Sequence, residues 1–208
     1  MPATRTRRAP DAAVSVAILA GGRSTRMGRD KARLRLGRRT LLGHARRAAE
    51  ELGLPWRVIR RDLVPRCGPL GGIFTALKTS RADAELFLAC DMPFVTSGLL
   101  RKLLRRLRGN RRAVFTEVEG VAGFPFLLRV ECLPMVEGQI QAGAFSLQSF
   151  ARKLRATRVS PPRGRMSETF NVNTPPDLSA ARARQRERAA TPSRLTNVYG
   201  GVVKQLIA

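Results

Sequence analysis

The stretch VSVAILAGGRSTRMGRDK, residues 14–31, joins a short β-favouring apolar run to a loop with glycines at 21, 22 and 28, arginines at 23, 26 and 29, and Lys31. The run reads as a buried strand, and Gly21-Gly22 lets the following backbone approach a ligand closely. Successive exposed N–H groups in such a loop form an anion-binding concavity. Arginine and lysine side chains then add charge where phosphates sit, the arginines able to grip two oxygens at once. Gly22 and Gly28 are spaced too widely for the Walker-type loop, no Gly-Lys-Ser/Thr follows, and there is no G-x-G-x-x-G. Read by itself, the stretch also fits a glycine-rich surface turn in an arginine-rich chain.

Working outward, Thr40 caps a helix that runs through Leu52 and ends at Gly53 and Pro55. Val58 and Ile59 read as a short strand, 71–77 as the start of a helix behind Gly68-Pro69, and 86–89 as a strand with Asp91 at its carboxyl end. Thr96 or Ser97 caps a helix through Leu107, with leucines on one face and Arg101, Lys102, Arg105 and Arg106 on the other. Residues 113–118 and 124–130 suggest a strand pair that extends the sheet and covers a second substrate. Alternating strands and helices predict a mostly parallel sheet with helices on both faces. Ligands bind such sheets outside the carboxyl ends of the strands, where the loop, Asp62 and Asp91 all fall.

The motif L-A-G-G-x-S-x-R-M-G-x-D-K at 19–31 resembles the signature of the nucleotidyltransferase family that includes the MobA-type molybdenum cofactor guanylyltransferases. Further motifs follow in that family's order: Asp62, then GPLGGI at 68–73 with Ala76-Leu77, DMPF at 91–94, QAG at 141–143, and FNVNTP at 170–175 before Asp177-Leu178. The likeness spans about residues 14–181. It implies a single three-layer, Rossmann-like α/β domain of the glycosyltransferase-A-like nucleotidyltransferase type. The implied reaction joins GMP from GTP to the terminal phosphate of molybdopterin and releases pyrophosphate, the GPLGG loop resembling the guanine branch and not the cytidylyltransferases.

By the same resemblance Leu19, Ala20, Gly21 and Gly22 line the nucleotide, Lys31 contacts it, Asp62 reaches the guanosine part, and Asp91 holds Mg²⁺. Asn171 and Asn173 match the pterin side. The glycine loop with Arg26 and Lys31 would stabilise charge on the departing pyrophosphate, so Arg26, Lys31 and Asp91 are the catalytic candidates. Each has a plainer reading: Asp91 as a turn carboxylate before Pro93, Asp62 as a loop turn residue, Arg26 and Lys31 as solvated charges. One departure stands out. Family members carry another strand, ending in an Asn-containing nucleotide contact, before the strand that leads to Asp62. Here the chain passes from the first helix through Pro55 almost directly into WRVIR at 56–60.

At 208 residues the chain suits one domain, and its 43% apolar content is ample for a core. We expect a disordered basic arm at 1–13, the nucleotidyltransferase domain at 14–181, and a basic extension at 182–208. A net charge of +24 implies attraction to polyanions without naming one. The alternatives to a guanylyltransferase are a nucleotidyltransferase using CTP or a sugar-phosphate acceptor, and a non-catalytic protein whose basic tails bind nucleic acid or an acidic partner. Expected partners are GTP and molybdopterin, with acceptor molybdoenzymes downstream. Nucleic acid is disfavoured because a single Trp and a single Tyr supply few stacking platforms. Cys67, Cys90 and Cys132 form no C-x-x-C pair, which argues for reduced thiols in a cytoplasmic protein. Arginines 5, 7 and 8 before the apolar run imitate an export signal, but cleavage would cut the loop from its strand. No stretch approaches the ~20 apolar residues that span a bilayer. His44 reads as structural.

Overall fold

The computed structural model describes residues 13–21 and 30–190. Gly22, Arg23, Arg26 and Arg29 lie outside them, as do the first twelve residues and those after 190. Six strands form the central sheet: β1 (Val14–Leu19), β4 (Trp56–Ile59), β5 (Ala84–Ala89), β6 (Ala113–Val118), β7 (Val121–Arg129) and β8 (Thr157–Val159), in the order β4-β1-β5-β7-β6-β8. Only β7 runs against the rest. The expected mostly parallel sheet is thus present. A small antiparallel hairpin, β2 (Arg35–Leu36) and β3 (Arg39–Thr40), turns through Gly37 at φ 59°.

Both faces of the sheet are covered, so its central strands are buried along their length and mostly apolar, without strict alternation. On one face α1 (Leu41–Glu50) and α3 (Ser97–Leu104) bury Leu42, Ala45, Leu100 and Leu103 against Val16, Ile18, Leu86 and Leu88. On the other, α2 (Pro69–Lys78), α4 (Leu133–Gln141) and α5 (Leu147–Lys153) bury Leu70, Ile73, Val136 and Phe150 against Ala17, Phe87, Phe115 and Phe126. Phe126 stacks between Phe87 and Phe115, with ring centroids 4.8 and 4.5 Å away. Three layers result, as the resemblance implied.

Local capping matches the sequence. The Thr40 hydroxyl accepts from Gly43 N–H to open α1, and Thr96 accepts from Leu99 N–H to open α3. α3 stops at Leu104, short of Leu107, since Arg105 and Arg106 continue only as a turn. The final helix, α6 (Pro175–Ala190), crosses position 182 without a break. Its Ala181 is buried with Leu36, Leu41, Phe94 and Val172, while Arg184 stacks 3.9 Å above the Phe170 ring and Arg188 4.7 Å above Phe94. Two arginines of this basic segment therefore pack on aromatics. None of the described helices is long and apolar enough to cross a membrane.

Candidate functional site

Register places the site. Leu19 of β1 pairs with Ile59 of β4 on one side and Ala89 of β5 on the other, so three parallel strands end flush. Ala20 N–H donates to Ile59 O, and Cys90 N–H to Leu19 O. The segments 20–21, 60–62 and 90–91 leave the sheet side by side and line one cleft of ≈ 1420 Å³, together with Lys31, Gly68, Pro69, Gly72 and Phe124. An ordinary single-ligand pocket is about 300–1,000 Å³. The volume suits two substrates.

The floor on the α2 side is built by glycine. Gly68 caps α2 at φ 54°, in the left-handed region, and Pro69 follows at the first helical position, where its missing N–H costs nothing. A Cβ at Gly71 would lie 2.7 Å from Val64 O and 2.8 Å from Asp62 Oδ2, so only glycine lets the 62–64 loop sit on the helix. Thr75 pins that loop: its hydroxyl accepts from Leu63 N–H at 2.8 Å and donates to Gly71 O at 2.8 Å. Nothing in the sequence marked Thr75, because the bond joins residues twelve apart across a loop and a helix. Burial pushes the Asp62 carboxyl above its ordinary value.

Across the cleft, the Lys31 ammonium donates to Asn173 Oδ1 at 2.7 Å and stands 3.8 Å from Asp91 Oδ2. The second distance is an ion pair, too long for a hydrogen bond. Asp30 holds the turn that presents Lys31, its carboxylate accepting from Ala32 N–H. Burial raises the Asp91 carboxyl, and Lys31 and the residue's own N–H pull it part of the way back. Asn173 is delivered by the start of α6. Asp177 accepts from the N–H groups of Asn173 and Thr174, and its own N–H donates to the Thr174 hydroxyl, a reciprocal cap of the T-x-x-D pattern. These bonds, that from Asn173 first, hold the Asp177 carboxyl low. Val172 N–H donates to Asp91 O, clamping the same segment to the end of β5.

Of the predicted residues, the structure gathers Leu19, Ala20, Gly21, Lys31, Asp62 and Asp91 around one cleft and ties Asn173 to Lys31. Asn171 is exposed. Gly22 and Arg26 lie outside the described residues. His44 donates through Nε2 to Leu36 O, away from the cleft's charges. Cys90, beside Asp91, is buried and its thiol is pushed up to about 12, chiefly by burial, which makes it packing. Sequence reasoning missed Phe124, which lines the cleft, and Arg60 and Arg61.

Among known proteins, the chain is 32% identical over 85% of its length, and 95% of the relative's, to a probable molybdenum cofactor guanylyltransferase of Opitutus terrae. Two solved structures share the fold: molybdopterin-guanine dinucleotide biosynthesis protein A of Archaeoglobus fulgidus (TM-score 0.67, 21% identity, 83% of this chain and 99% of that one) and 2-C-methyl-D-erythritol 4-phosphate cytidylyltransferase of Thermus thermophilus (TM-score 0.62, 19% identity, 83% and 98%). The family model for the MobA-like NTP transferase domain matches in two segments, 16–60 and 53–158, which overlap over β4. With the glycine-built α2 floor and the Lys31–Asp91 pair on either side of the strand ends, these matches establish that the chain belongs to the MobA-like NTP transferase family.

Proposed function

We infer that the chain is a molybdenum cofactor guanylyltransferase, transferring GMP from GTP to the terminal phosphate of molybdopterin with release of pyrophosphate. The observation that carries this reading is the convergence of the GPLGG helix start, Asp62, Asp91 and the Lys31–Asn173 contact on one cleft. Similarity along almost the whole of a relative bearing that name supports it.

Leu19, Ala20 and Gly21 offer a strand end against which the nucleoside lies, with Asp62 at its side. Lys31, held between Asn173 and Asp91, is the described cation nearest the transferring phosphate, and Arg26 is assigned to the leaving pyrophosphate from the sequence motif. Among the described residues no group of three or more His, Cys, Asp or Glu forms a metal cage. Mg²⁺ does not need one, since it binds through one or two carboxylates and substrate phosphates. Asp91, a half-buried carboxylate whose ion pair to Lys31 among the described residues is long, fits that role. The ion, when bound, neutralises charge on the triphosphate.

An oxygen of the acceptor's phosphate forms a bond to the α-phosphorus of GTP, and the bond from that phosphorus to the α,β-bridging oxygen breaks, its electron pair leaving with pyrophosphate. The attacking phosphate is already ionised, so no protein base is required, which agrees with the structural engagement of His44. Catalysis is positioning plus electrostatic stabilisation. Asn173, bonded to Lys31, is assigned to the pterin-bearing substrate from the sequence motif, and the product serves molybdoenzymes.

The test is to incubate the purified chain with Mg²⁺, molybdopterin and each nucleoside triphosphate in turn, measuring pyrophosphate and dinucleotide. Turnover with GTP above all others is expected. Silence with every nucleotide would sink the enzyme, and equal turnover with CTP would remove the guanine assignment.

A further inference from the structure

β4 is an edge strand of the sheet and pairs directly with β1. Beyond Ile59 its chain passes so close to the nucleotide loop that a Cβ on Gly21 would lie 3.1 Å from Arg60 O. The next three residues, Arg60, Arg61 and Asp62, all line the cleft. Arg57, on the same strand, is consumed by Glu85, Ser15 and Ala76. Arg60 and Arg61 are exposed and have no ion pair among the described residues. Two arginines without an ion pair among the described residues thus stand next to a carboxylate at one corner of the site.

We infer that Arg60 and Arg61 form the base-reading wall of this cleft, a guanidinium donating to O6 and N7 of guanine while Asp62 accepts from the opposite edge. This rests on the GTP reading above. Guanine is the base whose N7 and O6 match the arginine fork, whereas cytosine and adenine turn an amino donor toward it. Placement separates a base contact from a phosphate contact. Lys31 and Asp91 gather at the end of β5, and β4 stands two strand spacings away, about 9–10 Å. A nucleotide with its phosphates at Lys31 and Asp91 therefore brings its other end to Arg60 and Arg61. Arg60 and Arg61 directly follow the one strand, β4, that joins α1 to the α2 side of the cleft.

The experiment measures binding of GTP, 7-deaza-GTP (which lacks the N7 acceptor) and CTP, each with Mg²⁺, to the full chain and to Arg60→Ala, Arg61→Ala and the double variant. The wild-type chain should hold GTP about 10- to 100-fold more tightly than CTP, the discrimination of a good bidentate contact. 7-Deaza-GTP should fall between them. In the double variant the three affinities should converge, with CTP affinity unchanged, and one of the single variants should reproduce most of the effect. Equal loss of GTP and CTP affinity would mean that the arginines hold phosphate, and the inference fails. Undiminished preference for GTP in the double variant would also overturn it while leaving the guanylyltransferase reading intact. A wild-type chain that binds GTP no better than CTP would remove that reading itself.

Discussion

β5 carries a carboxylate at each end, and the two are finished differently. Glu85, near its start, is fully buried: Arg57 Nη1 lies 2.9 Å from Glu85 Oε1, Ser15 donates to the same oxygen at 2.7 Å, and Arg57 also donates to Ala76 O. Asp91, just past its end, keeps 23% of its side chain exposed, and among the described residues its only ion pair is the 3.8 Å contact to Lys31. The first is a knot tying β1, β4 and β5 together through Oε1, while Glu85 Oε2 and Arg57 Nε have no hydrogen-bond partner among the described residues. The second is paired more loosely, which suits the cation-binding role proposed for it. Burial alone does not distinguish structure from site here; the short ion pair at one end against the long one at the other does.

The largest effect expected is on the closed end. Glu85→Leu strands the Arg57 guanidinium in its partly buried place and should destabilise the fold by about 3–5 kcal/mol, the usual result of removing one member of a buried pair. Adding Arg57→Met should recover most of that loss, because an apolar replacement of the whole pair is often neutral. Denaturant unfolding of both single variants and the double variant checks this. Recovery of nothing in the double variant would show that the knot contributes more than its charges. The nucleotide affinity of any folded variant should stay near wild type.

At the open end the pattern reverses. Asp91→Asn should lower guanylyl transfer by ~10²- to 10³-fold, the scale seen when a major electrostatic stabiliser is lost, while the melting temperature stays level or rises. Normal turnover would break the assignment of Asp91. A melting temperature that fell as for Glu85→Leu would make it a second structural carboxylate and erase the contrast between the two ends of β5.

Between these two falls Thr75. Its hydroxyl is 2.8 Å from both Leu63 N and Gly71 O. Thr75→Val keeps the shape and leaves Leu63 N–H without its acceptor, at a cost of ~1–3 kcal/mol. Since the 62–64 loop carries Asp62, KM for GTP should rise more than kcat falls. Equal losses in stability and none in KM would mean that the loop finds another anchor.

Much of this was readable in the chain. Apolar runs ending in glycine, Thr40 and Thr96 as caps, and Asp91 beyond a buried strand are local signals, and local signals survive folding. The motif order added what residue types alone left open, a surface turn or a phosphate loop. Other features were not legible because they are long-range. The Lys31–Asn173 bond spans 142 positions, and Glu85 meets Ser15 across 70. No periodicity encodes either. The continuation of α6 past Ala181 was hidden by composition: its arginines look like a solvated tail, yet Arg184 and Arg188 lie over Phe170 and Phe94.

The smallest effect concerns pH, and it sets Asp91 against Asp177. The Asp91 carboxyl is raised from the ordinary 3.8, chiefly by burial, so in the window just above that value the folded chain holds a proton that the unfolded chain has released. Stability from this group therefore falls as pH rises through the window, then levels off once Asp91 is ionised in both states. Asp177 is lowered by the N–H of Asn173 and by Thr174, so its contribution is present above the ordinary value and is lost as pH falls through its depressed folded value. The two slopes have opposite sign and occupy neighbouring windows. Melting temperatures of wild type and Asp91→Asn, followed from acid to neutral pH without ligand, should start together and diverge upward for the variant by a few degrees. For Asp177→Asn the divergence should run downward and be complete at lower pH. A flat difference for Asp91→Asn would mean that the carboxylate is already satisfied in the free chain. It would then have no unmet charge to offer a cation bridged to GTP, and the contrast with Glu85 would fail at its source.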